Sequence, residues 1–265
     1  MNQRWRNRRT LYRPKLEVIR TSEYEIAPIA RDREARGFIE EHHYSASYPA
    51  ARFRFGLYRH EKLMGVAVFS HPCNDAVLTN VFRCRALDAA ELGRFVLLDE
   101  VPANGETWFL GRCFELLRRE SLAGVVSFSD PVPRTSLTGE IVHPGHIGTI
   151  YQAFNGCYLG RGSRRTLMLL PDGSVLNART VQKIRGMERG WKYAAGLLEK
   201  FGAEPLNSDP GVWLDRWLPA LTRPLRHPGN HKYAWPLQQS ARKSMPSLLP
   251  YPKFSPLLAW VSQQP

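Results

Sequence analysis

Two neighbouring segments carry polar side chains in a pattern that suits catalysis. In SFSDP (127–131), Ser127 and Ser129 are two residues apart, so they face the same side of a predicted strand. Asp130 follows at the carboxyl end of that strand, where open parallel sheets bind their ligands. The carboxylate could accept a proton and a hydroxyl could hold a substrate oxygen. The alternative is a Ser-Asp pair that only caps the turn at Pro131.

The segment GTIYQAFN (148–155) predicts a short helix directly after that strand and its loop. Tyr151 and Gln152 lie on the first turn of this helix. Gly145 and Gly148 allow a backbone to approach a ligand closely. The helix is therefore expected to form the second wall of the crevice that SFSDP lines.

The loop PANGET (102–107) is expected to join a strand to a helix. Such a turn presents free backbone N–H groups and the positive end of the helix dipole, which together form a cradle for an anion or a pyrophosphate. Asn104 is a good helix N-cap. Many strand–helix loops contain a glycine, so this pattern alone has low specificity.

The segment EHHYS (41–45) ends a predicted helix and contains two adjacent histidines and a tyrosine. Neighbouring residues on a helix diverge by about 100°, which disfavours joint metal binding by His42 and His43. A role for His43 or Tyr44 as a base or a substrate-orienting group is favoured. Whether a metal takes part stays open.

The 265 residues carry 37 Lys+Arg against 24 Asp+Glu, a net charge of +13. This excess favours a polyanionic partner, most simply nucleic acid, over a merely basic protein. The four cysteines lack metal-knuckle spacing, and free thiols in a reducing cytoplasm are expected. Neither a secretory signal nor a bilayer-spanning apolar run is predicted, so no membrane partner is expected.

The periodicity predicts an α+β fold with a mixed sheet flanked by helices and parallel strands in its second half. The expected order is a strand at 24–30, a helix at 32–45, a hairpin at 53–69, a β segment at 76–82, a strand at 91–101, a helix at 105–118, a strand at 122–131, the short helix, and strands over CYLGRG and RTLMLLP.

Five regions are predicted along the chain: a basic N-terminal arm (1–20), a catalytic core (21–170), a basic helical insert (171–226), a strand returning to the core (227–240) and a flexible tail (241–265). The insert is predicted to contact DNA through Arg179, Lys183, Arg185, Arg189 and Lys192.

The order of these elements resembles the GNAT acyltransferase fold, in which the pyrophosphate of acyl-CoA binds the loop after the fourth strand. More specifically, HHYS, the strand–PANGET–helix unit, SFSDP and GHIGTIYQAFN together resemble the phage Mom family of DNA-modification proteins, over about residues 36–170. The HYS, SD and GTIY pieces are the most specific parts of this resemblance.

The resemblance implies roles for particular residues. The implied catalytic residues are His43, Tyr44, Ser129, Asp130 and Tyr151. The implied sites for acetyl-CoA or a related acyl donor are Asn104, Gly105, Glu106, Thr107, Gly148 and Thr149.

The implied activity is transfer to adenine in double-stranded DNA, which yields an N6-carbamoylmethyl derivative and protects the DNA from restriction. Two alternatives stay open at this point. One is a GNAT-type N-acetyltransferase that uses acetyl-CoA on a protein or a small amine. The other is a DNA-binding protein without catalytic activity, for which the clustered Ser, Asp and Tyr residues would have no use.

Overall fold

The structure, a computed structural model, describes residues 3–6, 9–12 and 17–253 of the chain. The predicted basic arm (1–20) and flexible tail (241–265) lie partly outside these residues. Two compact units are present, each made of several chain segments. Among the described residues, the first unit contains those up to 131, 146–162 and 230–253, and the second contains 132–145 and 163–229.

The strands, in chain order, are β1 (Gln3–Arg6), β2 (Arg9–Tyr12), β3 (Glu25–Pro28), β4 (Ala51–Arg59), β5 (Lys62–Ser70), β6 (Ala89–Leu97), β7 (Gly124–Ser129), β8 (Arg134–Thr135), β9 (Ile141–His143), β10 (Cys157–Arg161), β11 (Arg165–Leu169), β12 (Val175–Leu176), β13 (Arg223–His227) and β14 (His231–Pro236).

The helices are α1 (Asp32–His42), α2 (Ala76–Phe82), α3 (Gly105–Arg119), α4 (Thr149–Ala153), α5 (Ala178–Arg185), α6 (Trp191–Glu199), α7 (Pro210–Leu221) and α8 (Gln239–Ser244). Within the described part of the chain, no helix has the length and apolar character needed to cross a bilayer.

The first unit is built on a seven-stranded sheet in the order β10-β14-β7-β6-β5-β4-β3. All neighbouring pairs are antiparallel except β6 and β7, which are parallel and are joined by α3. This mixed sheet with flanking helices confirms the predicted α+β class. Within the region 227–240, where a strand returning to the core was predicted, β14 pairs with both β7 and β10.

The core of this unit lies where α3 packs on the sheet. Phe109, Leu110, Cys113 and Leu117 recur at helical spacing on α3 and are fully buried. They meet an aromatic group from the sheet that includes Phe69. The hairpin predicted at 53–69 is confirmed as β4 and β5, which pair antiparallel and contribute Phe55, Leu57 and Phe69 to this core.

One predicted strand is wrong. The segment AVLTNVF (76–82) is helix α2. Its β-branched residues favoured a strand, but Leu78, Val81 and Phe82 are buried at helical spacing. The Asn74 side chain accepts a hydrogen bond from the backbone N–H of Ala76 (2.9 Å) and helps to start this helix.

Helix α1 is shorter than predicted and ends at His42. Asp32 is its first helical residue, and Arg31 is its N-cap. The Asp32 carboxylate accepts hydrogen bonds from Tyr48 (2.9 Å) and Arg54 (3.1 Å). The acidic side chain therefore ties α1 to the following segment and to β4.

The second unit has its own core, formed by helices α5, α6 and α7 around Leu198, Ile184 and Trp213. Its main sheet has three strands in the order β12-β11-β13. The structure groups residues 163–170 with this unit, whereas the sequence placed them in the catalytic core. The reason is that β11 finds its partners in β12 and β13.

Replacement of Gly124 by alanine is expected to destabilise the first unit. A Cβ at this position would lie 2.4 Å from ring atoms of Phe82, which is 3% exposed. We expect a loss of about 1–3 kcal/mol in the free energy of unfolding, measured by urea denaturation. The same change in a Phe82→Leu background should cost clearly less. Equal costs in both backgrounds would contradict this packing argument.

Candidate active site

The candidate site lies where the two parallel strands β6 and β7 separate. Strands β6 and β7 pair at only three positions, from Ala89 with Gly124 to Glu91 with Val126. At the next position, the Ser127 hydroxyl donates a hydrogen bond to the carbonyl of Leu92 (2.9 Å). Beyond it, the ladder between the strands ends. The carboxyl end of β7 therefore lies where the two strands no longer pair, which is the place where the sequence predicted a ligand to bind.

The chain returns to the end of β7 after leaving the first unit. The backbone N–H of His146 donates to the carbonyl of Asp130 (2.7 Å). Ser129 is completely buried, whereas Asp130 is half-buried. The structure thus brings SFSDP and the GTIY helix to the same edge of the sheet.

Helix α4 places Tyr151 beside the end of β7. Gly148 precedes the helix with φ +76°, and a Cβ there would lie 2.7 Å from the Tyr233 ring and 3.1 Å from Ser129 Oγ. Only glycine combines this backbone with such close packing. Tyr151 hydrogen-bonds with Ser127, and burial raises the pKa of Tyr151.

An aromatic wall backs this tyrosine. The Tyr151 ring lies 5.5 Å from both Tyr233 and Trp235, which alternate along β14. The Tyr233 hydroxyl accepts a hydrogen bond from Gln152 (3.0 Å) and donates to the carbonyl of Ile147. These contacts hold α4 against the sheet at a fixed distance.

The end of α1 also reaches this region. The Tyr44 hydroxyl and Nε2 of His146 are 3.2 Å apart. His43 is held differently, because its Nδ1 accepts from the backbone N–H of Ser45 (3.1 Å). Tyr44 therefore joins the cluster directly, and the His43 ring packs beside it with centroids 4.2 Å apart.

Two residues of β6 that were not predicted from the sequence also belong to the site. Burial raises the pKa of Glu91 and lowers that of Arg94, and each charge partly offsets the effect of burial on the other. Arg94 also interacts electrostatically with Tyr44 and Tyr151. The sequence does contain a signal for these two residues, because they are charged side chains inside the otherwise apolar run ELGRFVLL.

Arg94 has a structural task as well. Its guanidinium donates from Nε to the carbonyl of Ser47 and from Nη2 to the hydroxyl of the same serine, both at 2.7 Å. It thereby fixes the segment that follows Tyr44. A planar fork of donors suits this two-point contact, which lysine could not reproduce.

His146 is a neutral base in this cluster at ordinary pH. Burial lowers its pKa to about 4, and the Asp130 carboxylate offsets part of that effect. Among the described residues, no three His, Cys, Asp or Glu side chains are grouped so that they could hold a metal ion.

The start of α3 is largely buried and carries an acidic side chain. Asn104 is the N-cap, as predicted, but it has φ +68° and no side-chain capping bond. Gly105 is buried and Glu106 is 1% exposed. An acidic side chain buried at this helix start disfavours an anionic ligand. Thr107 donates its hydroxyl to the carbonyl of Asn104 (3.2 Å).

The chain itself also covers this loop. Val18 forms a parallel bridge with Ala103, and the N–H of Ile19 donates to the carbonyl of Ala103 (3.0 Å). A Cβ on Gly105 would lie 2.5 Å from Val101. The other predicted donor-binding residues, Gly148 and Thr149, lie at the start of α4. Gly148 is also beside Ser129.

The predicted DNA-binding residues lie on the second unit, around α5 and the start of α6. Arg179 forms an ion pair with Glu188, and Arg185 lies 3.7 Å from Asp215. The other three are Lys183, Arg189 and Lys192. Carboxylates therefore offset part of the positive charge on this surface.

A family model described as the Mom protein family matches residues 23–209. The chain belongs to the Mom family. The match includes the Tyr44 segment, the diverging strands, SFSDP and the GTIY helix, and it extends into the second unit as far as residue 209. Mom family membership supports a transferase with a DNA-modifying or acyltransferase-like role.

Solved structures resemble this Mom family member only distantly. A tandem GNAT protein from the clavulanic acid biosynthesis pathway is 11% identical with a TM-score of 0.37, and the match covers 68% of this chain and 65% of that one. The chain thus spans slightly less than two thirds of that protein.

Two further structures show the same level of similarity. An N-acetyltransferase from Staphylococcus aureus Mu50 is 11% identical, with a TM-score of 0.35 and coverage of 81% of this chain and 99% of that one. A malonyl-CoA decarboxylase from Rhodopseudomonas palustris is 11% identical, with a TM-score of 0.33 and coverage of 84% and 58%. A comparison with curated proteins found no match.

Acid is expected to destabilise the fold through the buried histidines. The pKa of His146 and that of His231 are both lowered from 6.5 to about 4. The unfolded chain therefore binds more protons between these values, and the free energy of unfolding falls as the pH drops from 6.5 to 4. Each histidine contributes at most about 1.4 kcal/mol per pH unit.

The measurement is urea denaturation at several pH values, in which His146→Gln should flatten the dependence over this window. His71→Gln, which changes an exposed histidine, serves as the control. An unchanged slope in His146→Gln would contradict the assignment of His146 as a neutral buried base.

Proposed function

We propose that this Mom family member modifies adenine in DNA by transferring a carbamoylmethyl group to N6. The observation that carries the proposal is the family match over 23–209, which contains the elements that gather Tyr44, Ser129, Asp130 and Tyr151 at one edge of the sheet. The donor is a small molecule in which this group is joined to a leaving group.

The reaction needs a new bond between N6 and the methylene carbon of the donor. The bond from that carbon to the leaving group breaks, and the leaving group takes the electron pair. N6 loses one proton. The exocyclic amine is a poor nucleophile, so a base has to remove this proton as the bond forms.

Asp130 is the proposed base. It stands at the end of β7 beside His146, which is neutral at ordinary pH and can receive the proton in a further step. Ser129 and Tyr151 are the proposed groups that orient the donor and the base, since both line the opening beyond Ser127. Tyr44 is proposed to hold His146 in place through their 3.2 Å contact.

Adenine has to leave the base stack, or be met in a single strand, before N6 can react. The half-buried aromatic residues at the site offer flat apolar surfaces for such a base. The net charge of +13 favours DNA as the partner that brings the base. No step is assigned to coenzyme A, because the start of α3 does not suit its pyrophosphate.

Loss of the proposed base should abolish modification without loss of DNA binding. The chain and its Asp130→Asn variant would be expressed in bacteria with a plasmid, and plasmid nucleosides would be analysed by mass spectrometry. We expect a carbamoylmethyl-deoxyadenosine from the parent and at least about 100-fold less from the variant. Glu120→Gln, which changes an exposed carboxylate on the first unit, is the matched control.

Full activity in Asp130→Asn would show that the base lies elsewhere. Unmodified DNA from the folded parent chain, together with acetyl transfer from acetyl-CoA to an amine, would favour the acetyltransferase alternative.

The second unit is proposed to contact DNA phosphates. Replacement of Arg189 or Lys192 by glutamine should reduce the slope of log affinity against log salt by about one contact, for any DNA sequence. Replacement of Arg179 should reduce it less, because Glu188 already neutralises that guanidinium. Fluorescence anisotropy across a salt series measures these slopes. Equal slopes in all variants would place the DNA contacts elsewhere.

A further inference from the structure

Two buried polar atoms on residues that pair at the end of β7 lack a hydrogen-bond partner within the described part of the chain. They are Ser129 Oγ and His231 Nε2. Ser129 is 0% exposed and His231 is 1% exposed. The two residues are direct partners across the antiparallel pair β7 and β14, so their side chains leave the sheet on the same face.

The other nitrogen of the His231 ring is held in place. Its Nδ1 lies 2.8 Å from the Tyr158 hydroxyl. The Arg161 guanidinium hydrogen-bonds with the same hydroxyl, and a guanidinium can only donate. The phenol oxygen therefore accepts from Arg161, and the phenol hydrogen points at Nδ1. An imidazole whose Nδ1 accepts carries its hydrogen on Nε2.

The ring is also uncharged. Burial lowers the pKa of His231 to about 4, and the electrostatic interactions with Arg161 and His146 act in the same direction. At neutral pH the group facing Ser129 is therefore a neutral N–H donor. A neutral imidazole held in this way can polarise a carbonyl oxygen without introducing a charge.

The pair of atoms has a defined ligand chemistry. Nε2–H donates one hydrogen bond, and a serine hydroxyl both donates and accepts. A carboxamide matches this set, because its oxygen accepts and its NH2 group donates. A carboxylate matches less well, because a neutral imidazole does not compensate its charge in a buried site.

We propose that His231 Nε2–H and the Ser129 hydroxyl form a subsite that binds the carboxamide of the transferred carbamoylmethyl group. This inference rests on the proposed function, since it assigns a place to the group that the reaction transfers. Holding the carboxamide at the end of β7 leaves the adjacent methylene carbon free to face Asp130 and the incoming adenine.

A binding experiment tests the subsite without relying on activity. Acetamide is the smallest molecule that contains the group, and it would be titrated into the full chain labelled with 15N-histidine. His231→Gln assigns the His231 signals by their disappearance. We expect the Nε2–H tautomer at pH 7, a shift of the Nε2 signal on addition of acetamide, and little response to acetate.

Two variants sharpen the result. Ser129→Ala should weaken acetamide binding about tenfold, as expected for loss of one hydrogen bond. Tyr158→Phe should mix the two tautomers of His231, because the phenol hydrogen no longer selects one. The inference would be overturned if the His231 signal of the parent chain did not shift with acetamide, or if it shifted equally with acetate. In the first case a buried water would satisfy the two atoms.

DNA-modification activity provides a second test of the subsite. His231→Phe keeps a ring of similar volume without the donor and should lose about 100-fold in DNA modification. His231→Gln places an amide N–H near the position of Nε2 and should stay within about tenfold of the parent. Unfolding midpoints of both variants control for stability. Full activity of His231→Phe would overturn the subsite.

These experiments distinguish a failure of the subsite from a failure of the proposed function. An acetamide response at His231 in a chain that leaves DNA unmodified would support the subsite and reject the DNA-modifying activity. Modified DNA together with an unresponsive His231 would reject the subsite and support the activity.

Discussion

The divergence of β6 and β7 is the constraint on which the first unit depends. A strand in the middle of a sheet needs partners for its backbone groups, and a split in the sheet would leave some of them unpaired. Two features limit the consequences of this split. β7 stays paired with β14 along its whole length, and the Ser127 hydroxyl covers the carbonyl of Leu92 where the parallel ladder stops. Tyr151 and the end of β7 can then line an opening inside a continuous sheet.

The site combines a small number of charged groups with many neutral polar groups. Glu91 and Arg94 lie together, and the two buried histidines are neutral at ordinary pH. Aromatic side chains of β14 and α4 form one wall. Such surroundings suit uncharged polar groups, which hydrogen bonds distinguish sharply when water is excluded. The positive charge of the chain is instead spread over its surface, where it acts at longer range.

Local patterns were sufficient to predict much of this arrangement. The alternation of Ser127 and Ser129 and the glycine before Tyr151 located two walls of the site, and the returning strand at β14 was also predicted. The prediction failed where a local preference competed with packing. β-branched residues indicated a strand at 76–82, although the buried positions follow a helical period.

Other features depend on pairing between distant segments. His231 meets Ser129 only because β14 lies next to β7, and HKYAWP gives no local sign of that register. The loop before α3 is likewise contacted by residues 18–19, which bind Ala103. A glycine-containing strand–helix loop looks like an anion site until the segment that covers it is known.

The chain leaves the first unit twice, and both departures share a feature that affects how sequences of this kind can diverge. The chain departs after Pro131 and resumes at His146, beside the Asp130 carbonyl that its N–H contacts. It departs again after Gly162 and resumes at Asn230, whose carbonyl accepts from the N–H of Gly162 (2.8 Å). Both gaps are closed by backbone contacts, so the intervening segments can gain or lose residues over evolutionary time while the strand ends stay in register. The sheet is thus a complete scaffold onto which other surfaces can be exchanged.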